Sequence, residues 1–411
     1  MGKIKGFIKS NDFLMNTLYF LARWGLLFIG WFIPINQKSI IFVSLSGRNF
    51  DDSPKALYEE ICKRDFFKDW KLIWAFKGPE KIDIPRGEKV RFGSWKYWIT
   101  LLGTKVWIEN GGMDLGINLN RKKNIIVRTW HGTVLKFSEG QEKSKAVLAT
   151  YRKYLKTDDR SIRCIQTENE LEICVKTFKA TPESFMKCGL PRNDCLIKYT
   201  DDDKAEIKSK LGIPLDKKVI LYMPTFRNYE IGSQREYFIK PPMDLEKWKS
   251  LLGDSYVLLM RTHYMVAASL NLHEDGFVYD VCKYQPLPNL YAIADILITD
   301  YSSAMFDFSI TEKPIRCFGY DYKEYLEKNG LVYDMPKILP CKIMKTEDEI
   351  IDSIISMDYE AECVKTRDFK QRFAEYFHGD ASKKMVDEIE RRIQKYTPIH
   401  WNRIMILQGE I

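Results

Sequence analysis

From residue 38 onward the chain switches repeatedly between short β-branched apolar runs and helical segments, in two successive series. In the first, 40–45, 71–76, 105–108, 124–129 and 164–167 read as strands, with helical segments near 53–63 and 168–178. In the second, strands are expected at 218–223, 256–261, 277–280, 294–299 and 314–318, and helices at 347–355 and 381–396. Such alternation, unlike blocks of a single kind, specifies parallel α/β sheets. The acidic segment 199–203 reads as the linker between the series. The expected division is an N-terminal segment 1–37, one α/β unit over 38–198, a second over 199–396 and a tail 397–411. In folds of this class ligands bind at the carboxyl ends of the strands, so the cleft between two such units is the expected site.

Charge narrows the partners. Lys and Arg exceed Asp and Glu by 64 to 56, giving +8, and aromatic residues make up 13% of the chain. That balance suits an anionic or interfacial partner: nucleic acid, a phosphate-rich substrate or an acidic membrane surface. No nucleic-acid recognition signature accompanies the charge, so nucleic acid is set aside. Lys3, Lys5 and Lys9 precede an apolar stretch from Phe13 to Ile35 that Asn16, Thr17 and Arg23 interrupt and Pro34 ends. The stretch is expected to form an interfacial helix with its lysines on lipid headgroups; a spanning helix and a helix packed on the protein's own surface are the alternatives. Nine cysteines form no C-x-x-C pair, which points to ordinary thiols in a reducing compartment. The basic and aromatic segment 91–107 reads as a helix with two buried tryptophans, with an interface patch as the alternative.

There are five histidines, and two follow expected strands directly: His131 in Trp130-His131-Gly132-Thr133 and His263 in Arg261-Thr262-His263-Tyr264. Strand ends on separate units bring both to one cleft, where a histidine can take a proton from an attacking hydroxyl or bind phosphate. Gly132 permits close backbone approach and Thr133 offers a hydroxyl. Asp300-Tyr301-Ser302-Ser303 closes a strand and opens a helix, so Ser302, Ser303 and the backbone there form a candidate phosphate cradle. Arg227 and Arg261 sit at strand ends and suit phosphate. Asp307, one turn beyond Ser303, is a candidate for a sugar hydroxyl. A Walker A loop and a G-x-G-x-x-G fingerprint are absent, which argues against NTPase and dehydrogenase chemistry. Nothing in the pattern calls for a metal or other cofactor.

Several motifs occur together and in order: Trp130-His-Gly-Thr133 with Lys136, Gly189-Leu-Pro-Arg-Asn193, Tyr222-Met-Pro-Thr-Phe-Arg227, Arg261-Thr-His263, Thr299-Asp-Tyr-Ser-Ser-Ala-Met-Phe-Asp307 and His378-Gly-Asp-Ala-Ser382. The set resembles the CDP-glycerol glycerophosphotransferase family of teichoic acid synthesis. The resemblance implies a GT-B-like fold, with two Rossmann-like domains, the first for the acceptor and the second for the donor. It implies transfer of a polyol phosphate from CDP-glycerol or CDP-ribitol to a hydroxyl of a lipid-linked acceptor, with release of CMP. It also implies peripheral attachment to the cytoplasmic face of the bacterial membrane. By matching motifs, His131 is the general base; His263, Arg261 and Arg227 lie near the pyrophosphate; Thr225, Asp300, Ser302, Ser303, Asp307 and Ser382 join the substrate site. Two positions depart from the family pattern. Val134 replaces the usual proline and should stiffen the loop less, and His378-Gly-Asp380 replaces Asp-Gly-Lys. A nucleotide-sugar glycosyltransferase of GT-B type is the second reading, and a basic scaffold for anionic polymer the third.

Overall fold

A computed structural model describes residues 12–115, 117, 119, 123–135, 161–178, 180–225, 242–262 and 276–396. The first sheet holds β1 (Asn36–Val43), β2 (Lys71–Phe76), β3 (Glu88–Arg91), β4 (Thr104–Glu109), β5 (Ile125–Arg128), β6 (Ile162–Ile165) and β7 (Phe185–Lys187). The second holds β8 (Lys218–Met223), β9 (Tyr256–Met260), β10 (Val278–Asp280), β11 (Ile296–Thr299), β12 (Ile315–Phe318) and β13 (Ile343–Met344). Their orders are β3-β2-β1-β4-β5-β6-β7 and β10-β9-β8-β11-β12-β13, and the strand pairs are parallel. Counted from its own first strand, each sheet begins with the doubly wound order 3-2-1-4-5-6. Winding reverses beside the first strand, and a crevice opens at the carboxyl ends there: β1 and β4 in one sheet, β8 and β11 in the other.

The strands read as unbroken apolar runs because both faces are covered. Along β1, Ile40 and Phe42 point to one core and Ile41 and Val43 to another. The first core is covered by Leu57, Tyr58 and Ile61 of the helix Asp52–Cys62, the second by Tyr97, Leu101 and Leu102 of Trp95–Leu102. In the second sheet Leu221, Leu259 and Leu297 face one core, while Ile220, Leu258 and Ile298 face the other.

Three expectations are corrected by this packing. Residues 199–203 are not a linker: Thr200 caps the helix Asp201–Lys210 in a reciprocal capping box with Asp203. Three consecutive aspartates suit that first turn, because carboxylates are stabilised at the positive end of a helix. The last helix, Ala381–Tyr396, does not pack with the second unit. Its Met385, Val386 and Ile389 complete the core over the first sheet, and Asp194 accepts the N–H groups of Ala381 and Ser382 at 3.1 and 2.7 Å. In the helix Trp95–Leu102 the fully buried ring is Tyr97, while Trp95 is 63% exposed. The short strands β3 and β7 were not expected.

The N-terminal helix spans Asp12–Phe32. Leu26 is buried on the first unit, with Leu27, Ile29 and Ile33 partly buried beside it. Leu21, Trp24, Phe28, Trp31 and Phe32 are exposed. No helix among the described residues is long and apolar enough to cross a membrane.

Candidate active site

β5 ends at Arg128, and the chain turns sharply through Trp130, whose φ of +57° lies in the left-handed region. For a bulky aromatic residue that conformation is strained by about 1–3 kcal/mol, and such strain is held in place by surrounding contacts. The contacts are present. The Trp130 ring lies 4.1 Å from the His131 ring and 4.9 Å from that of Phe178. His131 Nδ1 is 3.0 Å from the carbonyl oxygen of Asn110, which directly follows β4. A carbonyl only accepts, so Nδ1 carries the proton and Nε2 is left as the acceptor nitrogen.

The loop after His131 is anchored from below. Gln166 Nε2 donates to Thr133 Oγ1 at 2.7 Å. Glu170, which is buried, accepts the backbone N–H of Gln166 at 3.0 Å and that of Val134. The valine at 134 therefore supplies a donor that a proline lacks, and its side chain packs with Ile165, Cys174 and Phe185. Burial pushes the Glu170 carboxyl up to about 7 against those two backbone hydrogen bonds.

Across from this loop stands the turn after β11. A Cβ on Gly132, whose φ is +140°, would lie 2.9 Å from Ser303 Oγ and 3.1 Å from Arg192 Nη2. Gly132 thus lets the backbone of the first unit pass close to the serine turn of the second. A cleft of about 420 Å³ opens there, lined by His131, Gly132, Thr133, Thr225, Ser302 and Ser303 among others. Asp300 is buried beneath it. Its carboxylate accepts the N–H of Thr225 at 2.9 and 3.0 Å and that of Tyr301 at 2.6 Å, joining the ends of β8 and β11. Ser302 Oγ accepts from the N–H of Ala304 at 3.2 Å.

The remaining expected residues lie elsewhere. Asp307 is buried and pairs with Arg192 Nη2, while Asn193 Nδ2 donates to its other oxygen at 2.8 Å. Arg192 Nη1 also bonds Asp52 at 3.0 Å and the backbone oxygen of His131 at 2.8 Å. Burial alone would lower Arg192, but Asp307 and Asp52 hold its guanidinium above its ordinary value. Arg261 Nη1 donates to the carbonyls of Val281 and Tyr284 at 2.9 and 2.7 Å. Arg261, Asp307 and Ser382 line a separate cavity of about 280 Å³ in the seam between the units. Lys136, Arg227 and His263 lie outside the described residues. Asn110, Gln166 and Glu170 were not singled out from the sequence, and Arg192 entered only as part of the Gly189-Leu-Pro-Arg-Asn193 motif, without a role. Asn110 carried a usable signal, since it opens an Asn-Gly-Gly turn directly after a strand.

Two doubly wound sheets meeting at a cleft, with a histidine on one side and a serine turn on the other, define a transferase of GT-B-like architecture. The chain belongs to the CDP-glycerol:poly(glycerophosphate) glycerophosphotransferase family, whose model matches residues 26–391. It is 32% identical over 367 residues to a teichoic acid poly(glycerol phosphate) polymerase of Bacillus spizizenii, covering 87% of this chain and 93% of that one. A polymerase of the same description from Staphylococcus epidermidis is 33% identical over 384 residues; the match covers 88% of this chain but only 52% of that longer protein. Among solved structures, the wall teichoic acid polymerase TagF superposes with a TM-score of 0.80 at 29% identity, covering 95% of this chain and 96% of that one. A histidine variant of TagF soaked with CDPG matches at a TM-score of 0.80. This membership sets aside the nucleotide-sugar glycosyltransferase and scaffold readings.

Proposed function

We propose that this chain moves glycerol phosphate from CDP-glycerol to a hydroxyl of a lipid-linked, teichoic-acid-type acceptor and releases CMP. The observation that carries the reading is the approach of His131 to the Ser302–Ser303 turn across one cleft. The acceptor oxygen attacks the phosphorus that bears glycerol. A new P–O bond forms, the bond to the bridging oxygen breaks, and that oxygen leaves with CMP. The hydroxyl proton passes to His131 Nε2, the acceptor nitrogen fixed by the Asn110 carbonyl. Ser302 and Ser303 hold the transferred phosphate, aided by backbone N–H groups. The helix behind them, Ala304–Phe308, has five residues, so its dipole adds little. Positioning and charge neutralisation carry most of such a transfer. Glycerol is favoured over ribitol as the donor's polyol by the two poly(glycerol phosphate) polymerases this chain resembles.

The exposed apolar face of the helix Asp12–Phe32 lies in an anionic membrane surface at the cytoplasmic side, where the acceptor lipid is held. Its other face packs on the first unit, so it anchors that unit without spanning. Trp24→Ser with Trp31→Ser should cut sedimentation with anionic vesicles, and undiminished pelleting would overturn the anchoring. The transfer is tested by incubating the protein with CDP-glycerol, CDP-ribitol or UDP-sugars plus acceptor and identifying the nucleotide released. CMP from CDP-glycerol, with product mass rising by glycerol phosphate units, is the expected result; UDP release would reject it.

A further inference from the structure

Beside the catalytic cleft the first unit holds a second cavity, of about 320 Å³, that the transfer chemistry leaves unused. It lies at the carboxyl ends of β4, β5 and β6 and shares Trp130 and Gly132 with the cleft. Two features of its wall point to a ligand. Trp130 is 39% exposed and held between His131 and Phe178, so it offers an aromatic face at the boundary of the two spaces. Asn110 is 1% exposed; its Oδ1 accepts the N–H of Leu45 at 2.8 Å, while its Nδ2 has no partner among the described residues. A buried amide donor without an acceptor is uncommon in a folded protein, so this one calls for an oxygen from outside. The ion pair of Glu109 with Arg128, at 3.3 Å, adds further polar groups. An aromatic plane beside an amide donor and paired charges suits a polyhydroxylated chain or ring: its carbon face covers the plane and its oxygens meet the polar groups.

The direction of attack points the same way. In phosphoryl transfer the entering and leaving oxygens are roughly in line. The second unit's serine turn holds the phosphate, so the acceptor enters from the first unit, where this cavity lies. Resting on the transfer reading above, we propose that the cavity seats the hydroxylated end of the acceptor. Asn110 Nδ2 donates to one of its oxygens, Trp130 covers its carbon face, and the attacking hydroxyl emerges past Gly132 at His131.

Thr177 tests this, because it lines the cavity from the exposed side of the helix Glu168–Phe178 and touches no catalytic group described above. Thr177→Trp fills the space, and Thr177→Ser is the control. The acceptor probe is a soluble tri(glycerol phosphate), and donor binding is followed by calorimetry with CDP-glycerol. Thr177→Trp should raise the acceptor KM about tenfold or more, a loss of about 1.4 kcal/mol, while the CDP-glycerol Kd stays within about twofold. Trp130→Phe, which keeps a ring of smaller area, should show the same split to a lesser degree. An unchanged acceptor KM in both variants, or a donor Kd that rises with it, would overturn the proposal. A wild-type protein that neither binds CDP-glycerol nor releases CMP would instead reject the transfer reading itself.

Discussion

The cleft and the seam are both built where the two units meet, yet they treat polar residues in opposite ways. In the cleft, His131, Thr133, Thr225, Ser302 and Ser303 border open space. In the seam, Arg192 is closed into bonds with Asp52, Asp307 and the His131 carbonyl, and Arg261 is bonded to two carbonyls. A strand-end position brings a side chain to the level of the site in either case. What separates them is charge: a buried ion must be paired, so the charged groups of the seam are closed onto partners within the protein, while His131, Ser302 and Ser303 keep a side open to the cleft. The seam thus supports the cleft, because Arg192 ties the backbone of His131 to the helix that follows the serine turn.

This contrast is open to direct attack. The largest effect is expected from His131→Ala, which should lower kcat by ~10²–10⁴ while CDP-glycerol affinity stays within severalfold; near-normal turnover would remove His131 from the role of base. Arg192→Leu should act on stability first, by ~3–5 kcal/mol in denaturant unfolding, because it leaves Asp307 buried and unpaired. Replacing Asp307 by Leu in the same chain should recover much of that loss, and no recovery would show that the pair is not the source. Glu170 supplies a pH test beneath the cleft loop. The folded chain keeps this proton up to about pH 7, whereas an ordinary glutamic acid loses it near 4.5, so stability should fall as pH rises between those values. The fall is about 3 kcal/mol for this one group; Glu170→Gln should remove that share of the slope, and unfolding curves at pH 5 and pH 8 measure it. The smallest effect should come from Ser302→Ala with Ser303→Ala. The CDP-glycerol Kd should rise about tenfold with the unfolding midpoint nearly unchanged, the reverse of the Arg192 pattern.

Much of this was legible in the chain. The strands 71–76 and 218–223 and the helices 168–178, 347–355 and 381–396 fall where the apolar pattern places them. The cleft was legible too, because His131 and Ser302–Ser303 follow strands and topology brings strand ends together. Pairing was harder to read. Arg192 and Asp307 are 115 residues apart, and nothing local says that one neutralises the other. The aspartates after Thr200 carry the composition of a linker, and only the capping geometry reveals a helix start. The return of the last helix was hidden for a similar reason: its amphipathic pattern specifies a buried face but not which sheet it covers.

That return has a consequence during synthesis. The core over the first sheet needs Met385, Val386 and Ile389, which follow the second unit along the chain. A nascent chain that has completed β7 must therefore wait while about 200 further residues are made, roughly ten to forty seconds at the usual rate of translation. During that interval the surface around Leu57 and Ile61 lacks its cover, so this part of the first unit's core closes only after the second unit has been made.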